Sequence, residues 1–168
     1  SLADAYKSAG RLERPIRLLE QNLTDHERIL GADHPRTLIS RNNLAGSYRE
    51  ADRLDEAIDL YERDLADGLR ILSPDHPYIF NSRNNLAGTY YVAGRLDEAI
   101  PLFERTLADR ERVLGPDHPD VLVTRNNLAL AYRAAGRLDE AIDLLEQSLS
   151  DRLRVLGPDH PDTLTSRN

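Results

Sequence analysis

Between Pro119 and Leu156 the apolar residues fall at helical spacing and change register once. Leu122, Leu128, Ala129, Tyr132 and Ala135 recur on one face, which predicts an amphipathic helix over 119–135. Gly136 follows, and a glycine there supplies the left-handed conformation that ends many helices without a steric penalty. Leu138, Ala141, Ile142, Leu145, Leu149, Leu153 and Leu156 then predict a second helix, with Asp139 and Glu140 in the first turn, where the helix dipole favours negative charge. Gly157-Pro158 ends it; Pro161 can open the next helix at its first position, with Asp159 or His160 as its cap. So short a turn between two helices makes them antiparallel neighbours, a helical hairpin.

The hairpin recurs. Residues 120–161 shifted back by 42 become 78–119, and shifted again become 36–77 (120 − 78 = 42, 78 − 36 = 42), with no insertion or deletion. Residues 1–35 form a truncated, more divergent earlier copy, and 162–168 start a further one. A fixed period of this size is the signature of a solenoid, in which each unit buries its apolar face against its neighbours. The expectation is an all-α chain and a single solenoid domain over 1–168, in units 1–35, 36–77, 78–119, 120–161 and the start at 162–168. Ser1 falls inside a unit and no initiator methionine precedes it, so a fragment of a longer protein is expected. Apolar faces at the two ends make head-to-tail self-association a further expectation. Among the copies, Asp52 stands where Gly94 and Gly136 stand, and a small conformational cost is expected there. Pro15 and Pro101 are read as early positions of second helices, tolerated with a slight bend.

Composition narrows the function. Charged residues make up 30% and aromatics 5%, which suits a thin helical array and not a deep catalytic core. Phosphate binding needs clustered Lys and Arg; the net charge of −7, with an acidic neighbour beside almost every Arg, argues against that, so no nucleic-acid partner is expected. With no cysteine there are no disulfides and no thiolate chemistry, as suits a reducing cytoplasm. No apolar run approaches the roughly 20 residues that span a bilayer, so no membrane partner is expected.

Candidate chemistry is sparse. His34, His76, His118 and His160 lie one repeat apart, hence about 10 Å from one another by helix packing distances. Zinc needs its ligands at roughly 2.0 to 2.1 Å from one ion, so these are read as loop caps and no metal site is expected. His26, alone on a helix, is read as solvated. Asp-Glu pairs at 55 and 56, 97 and 98, and 139 and 140 are helix-start charges that point in different directions and cannot serve one substrate. No nucleophile, phosphate loop or dinucleotide fingerprint appears; no enzyme activity and no cofactor are expected.

The spacing Leu86, Ala87, Tyr90, Gly94, Ala99 and Phe103 resembles the tetratricopeptide repeat, with its Leu-Gly/Ala, Tyr, Gly, Ala and aromatic positions. The usual unit has about 34 residues; the longer form, with NNLA in the first helix and LGxDHP in the loop, is similar to the repeats of kinesin light chains. It is equally similar to arrays in bacterial, especially actinobacterial, proteins often attached to nucleotide-binding signalling modules. The resemblance implies a right-handed α-solenoid of antiparallel helix hairpins, the tetratricopeptide superhelix. It departs in one place: Arg41, Arg83 and Arg125 occupy a position often given to Trp, where burial of the Arg stem is expected.

In such arrays the first helices line the concave groove. Carried onto this chain, the groove positions are Ile39, Asn42, Asn43, Gly46 and Arg49; Asn81, Asn84, Asn85, Gly88 and Tyr91; and Val123, Asn126, Asn127, Leu130 and Arg133, with Asp4 and Lys7 extending them. An Asn carboxamide both donates and accepts, so a row of them can pair with the backbone of an extended peptide whatever its side chains. At roughly 10 Å per repeat, successive Asn pairs would meet a strand of roughly 3.3 Å rise about every third residue. The alternative role for the Asn pairs is to tie neighbouring helices together. Arg49 and Arg133 could read acidic ligand side chains, with Glu50 and Asp4 offsetting them. The expected function is a non-catalytic scaffold binding an extended peptide or partner protein. The alternative is a sensor or oligomerisation array of a larger nucleotide-dependent signalling protein.

Overall fold

The structure, a computed structural model, describes the backbone of residues 2–156 and the side chains of residues 13–151 and Leu153. Among the described residues there are seven α-helices and no strand: α1 Leu2–Leu30, α2 Pro35–Glu50, α3 Leu54–Ile71, α4 Pro77–Val92, α5 Leu96–Leu114, α6 Pro119–Ala134 and α7 Leu138–Leu156. They form two compact units, Ser1–Ala93 and Gly94–Asn168. In the first, α2 packs against α1, α3 and α4, and α3 against α4; in the second, α6 packs against α5 and α7.

Each odd-numbered helix after α1 begins where the chain turns through a left-handed residue. Gly94 and Gly136 have φ of 74° and 76°, and Asp52, the one non-glycine residue with positive φ among the described residues, has φ 61°. The Arg that follows, Arg53, Arg95 or Arg137, pairs with the Glu three residues on, Glu56, Glu98 or Glu140. The second acid of each Asp-Glu pair thus locks the turn as well as sitting in the first turn of its helix. Arg53 and Arg137 also lie over the rings of Tyr48 and Tyr132, at 4.1 and 4.3 Å from the ring centres.

The other loops end at a His cap. Nδ1 of His34, His76 and His118 accepts the backbone N–H two residues on, with Pro35, Pro77 and Pro119 opening the helices. Of the two cap candidates in the DHP loop, His is the one used in the described copies; His160 lies outside the described residues.

The partial copy differs. α1 runs unbroken from Leu2 to Leu30, through Gly10, where the full copies turn. Glycine permits the left-handed turn without imposing it. In Arg11-Leu12-Glu13-Arg14 an Arg stands where the full copies place the locking Glu. Pro15 therefore lies well inside a helix, not near its start. The side chains of Asp4 and Lys7, and the two chain ends expected to self-associate, lie outside the described residues.

The core is built by the repeated apolar positions: Leu38, Leu44 and Ala45 of α2, Ala57, Ile58 and Tyr61 of α3, Ile79, Phe80, Leu86 and Ala87 of α4, and Ala99, Ile100, Phe103, Val121, Leu128 and Ala129 in the second unit. Each large side chain fully withdrawn from water contributes about 1.5–3 kcal/mol. Ala135, expected on the apolar face, is an exposed C-cap residue. Ile142 and Leu145 of α7 remain 52% and 48% exposed, whereas their equivalents Ile58 and Tyr61 in α3 are covered.

At the position where burial of an Arg stem was expected, the whole side chain is buried, guanidinium included. Arg41 pairs with Glu27 of α1 at 3.0 Å and Asp67 of α3 at 2.7 Å. Arg125 pairs with Glu111 of α5 and Asp151 of α7, both at 2.6 Å. One cation thus ties together the two second helices that flank a first helix. Burial alone would lower the pKa of each guanidinium, but its two carboxylate partners outweigh that and raise it. A second tie repeats beside it: the hydroxyls of Tyr48, Tyr90 and Tyr132 donate to Glu20, Glu62 and Glu104.

Candidate binding clefts

In the first unit α2 and α4 lie side by side and leave a cleft of about 300 Å³ lined by Ile39, Asn42, Asn43, Tyr78, Asn81, Asn84 and Asn85. Five Asn residues expected in the groove therefore converge on one place. No lining side chain carries a formal charge at neutral pH, and Ile39 contributes an exposed apolar surface. Asn43 and Asn81 are exposed, while Asn42, Asn84 and Asn85 are half-buried.

Asn42 and Asn85 also serve the fold. Asn85 Nδ2 donates to Asn42 Oδ1 at 3.2 Å, joining α4 to α2, and Asn42 Nδ2 lies 3.4 Å from Asp64 Oδ2 on α3. Arg49 and Tyr91 do not line this cleft; Arg49 reaches across to α4, where its Nη1 is 3.5 Å from the Cβ position of Gly88.

Beneath the cleft sits a carboxylate that the periodicity of the sequence did not single out. Asp64 is wholly buried and accepts hydrogen bonds from Tyr78 Oη at 2.5 Å and Ser82 Oγ at 2.8 Å. Desolvation pushes its pKa up, and the hydrogen bonds from Tyr78, Ser82 and Asn42 oppose the shift. Gly68 on α3 faces the same contact: a Cβ there would press on Ile79 Cδ1 at 3.1 Å and touch the Tyr78 ring at an ordinary 3.6 Å. The clue in the sequence was the coupled departure at these positions: Gly68 and Tyr78 here, Arg110 and Asp120 in the next copy, His26 and Arg36 in the first. In those copies the interface is rebuilt with other polar groups. Arg110 Nη1 donates to Thr124 Oγ1 at 2.6 Å, and His26, expected to be solvated, has Nδ1 2.8 Å from Ser40 Oγ. The cause is spacing: residue 26 faces the start of α2, so a side chain there meets a neighbour, not water.

The second unit has a different cleft of about 200 Å³, between α6 and α7, lined by Asn126, Ala129, Leu130, Arg133, Ala141 and Leu145. Asn126, Leu130 and Arg133 are brought together there; Asn127 is half-buried and is not among the lining residues. Leu145 and Ala141, from the second helix of the hairpin, were not among the expected positions. No cluster of His, Asp or Glu able to hold a metal ion occurs among the described residues, and none of their helices is long and apolar enough to cross a membrane.

Comparison with known proteins agrees with this architecture. The family model described as "Tetratricopeptide repeat" matches residues 1–66 and 78–154. Among solved structures, a putative kinesin light chain with nearly identical TPR-like repeats from Podospora anserina superposes with a TM-score of 0.87 at 33% identity, covering 99% of this chain and 79% of that one. A single-substitution variant of that protein gives a TM-score of 0.88 at the same 33% identity, covering 99% and 78%. BtubC (BKLC) from P. vanneervenii shares the fold, with a TM-score of 0.79 at 24% identity over 90% of this chain and 60% of that one. No sequence match was found among curated proteins. The repeated helical hairpins, their Leu, Ala, Tyr and Gly positions and these matches lead to one conclusion: the chain belongs to the tetratricopeptide repeat family.

Proposed function

We propose that this chain is a peptide-binding scaffold that holds an extended segment of a partner protein against the first helices of its repeats. Tetratricopeptide repeats are generally non-catalytic scaffolds for protein–protein interaction, and the units 36–77, 78–119 and 120–161 are the repeats in that frame. The observation that carries the reading is the uncharged cleft between α2 and α4, where five Asn side chains surround an opening with one apolar wall, Ile39. Carboxamides match the donors and acceptors of a peptide backbone, and the absence of charge removes the desolvation cost that would exclude uncharged segments. The second unit has its own cleft, with an apolar floor from Leu130 and Leu145 beside the cation of Arg133, suited to an apolar side chain with an acidic neighbour. The chain has no cysteine and so needs no oxidising compartment, which fits work in the cytoplasm.

A library of immobilised octapeptides, half uncharged and half acidic, tests the reading. Asn43 and Asn126 are exposed and make no hydrogen bond to protein among the described residues, so their replacement by Ala leaves the fold intact. Each Ala variant is expected to weaken capture about two- to tenfold, the loss of one net hydrogen bond, with unchanged melting. Capture of no peptide, or capture indifferent to both substitutions, would refute the proposal.

A further inference from the structure

We propose that Asp64 is a positioning residue that fixes the donor and acceptor polarity of the Asn cleft, acting through Asn42 and Asn85. The inference rests on the reading of that cleft as a peptide site and assigns its direction. Asp64 does not line the cleft; it lies wholly buried on α3, below two residues that do, Asn42 and Tyr78. An ionised carboxylate only accepts hydrogen bonds. Asn42 must therefore turn its Nδ2 toward Asp64 Oδ2, which leaves its Oδ1 facing α4. Asn85 must in turn present Nδ2 to that oxygen, at 3.2 Å. The Oδ1 of Asn85 receives no hydrogen bond from the described residues, so the relay ends in an acceptor at a residue lining the cleft. The matching ligand group is a donor, a backbone N–H of the bound segment.

The relay is particular to this cleft, because the equivalents of Asp64 in the other copies are Asn22, Thr106 and Ser148, none of them ionisable. Protonated Asp64 would have a hydrogen of its own to donate, Asn42 would no longer be held to one orientation, and the polarity would be lost. The groups that face Asp64 are Arg41 from α2, Tyr78 from α4 and Tyr61 on α3 itself. Arg41, Tyr61 and Tyr78 are all held above their ordinary pKa values, so Asp64 is the member of this set that titrates in acid. Burial brings that titration closer to neutral pH.

Nuclear magnetic resonance of the whole chain, following the Asn side-chain amides from neutral to acidic pH, tests the relay without any ligand. Asn42 and Asn85 are expected to move together with one midpoint, that of the Asp64 carboxyl carbon, and Asn43 and Asn126 to stay. In Asn42→Ala, which removes a half-exposed link and leaves the core untouched, Asp64 still titrates and Asn85 stops responding. In Asp64→Asn the shared midpoint disappears. Asn85 remaining still while Asp64 titrates, or responding in Asn42→Ala, overturns the proposal. N-methylacetamide, which has an N–H, and N,N-dimethylacetamide, which lacks one, serve as backbone probes. The first should perturb Asn85 more than the second at neutral pH, with the difference gone once Asp64 is protonated; equal perturbation at neutral pH overturns the assigned direction. If the shared midpoint is found and the peptide library gives no capture, the relay stands and the peptide-binding reading falls.

Discussion

Replacing Asp52 by Gly isolates the cost of a left-handed residue at the hairpin turn. Asp52 has φ 61°, is exposed, and its carboxylate makes no hydrogen bond among the described residues, so nothing local offsets the conformation. An L-residue held there costs roughly 1–2 kcal/mol, less for Asp than for most, and Gly loses back roughly 0.5–1 kcal/mol through the greater freedom of its unfolded chain. The net gain for Asp52→Gly is therefore up to about 1 kcal/mol, which for a chain of this size raises Tm by about 2–4 °C. The reverse change, Gly136→Asp, gives the same step with opposite sign. A Cβ on Gly136 (φ 76°) would meet no atom within 4 Å, so the penalty there is purely one of backbone conformation. Thermal melts followed by far-ultraviolet circular dichroism measure both. A lower Tm for Asp52→Gly, or no loss for Gly136→Asp, would show that the left-handed conformation carries no such cost.

Arg125→Met keeps an apolar stem and removes three charge-assisted hydrogen bonds, two to Glu111 and one to Asp151. Because those acids are 34% and 18% exposed and regain water, the expected loss is about 2–4 kcal/mol, read by urea unfolding. Asp64→Asn changes pH dependence. A folded pKa raised above the unfolded value means that Asp64 contributes stability that is complete below the unfolded pKa and is lost as pH rises through the folded one. The stability difference between wild type and Asp64→Asn should accordingly move in favour of wild type as pH falls through that window; a flat difference would contradict it. Burial and their Glu partners hold the Tyr48 and Tyr132 phenols up to about 12. The stability they lend is complete below about pH 10, the ordinary tyrosine value, and is lost as pH rises through their folded values, which ultraviolet titration of phenolate in the folded chain checks. His118→Ala removes the side-chain acceptor for the Asp120 N–H and should cost about 0.5–2 kcal/mol in denaturant unfolding.

The hairpins were legible in the sequence because they rest on local signals repeated three times: a glycine or Asp at the turn, Pro at the helix start and apolar residues at helical steps. The convergence of Asn42, Asn43, Asn81, Asn84 and Asn85 followed from the same register. The ties between helices were not legible, because they join residues far apart in the chain: Arg41 to Glu27 and Asp67, Tyr48 to Glu20, Asp64 to Tyr78. Periodicity marks a polar residue on a helix as solvated unless its neighbour is known, which is why the guanidiniums of Arg41 and Arg125, and His26, were expected in water. The continuity of α1 through Gly10 shows the opposite limit: a permissive residue does not make a turn where the Arg–Glu lock is missing.

The proposed role of the α2–α4 cleft is to receive an extended peptide backbone. Its most direct test is a nuclear magnetic resonance titration of the chain with an uncharged peptide taken from the library. The side-chain amides of Asn42, Asn43, Asn81, Asn84 and Asn85 are expected to shift together and saturate at one ligand concentration. Saturable binding that leaves those amides unmoved would contradict it.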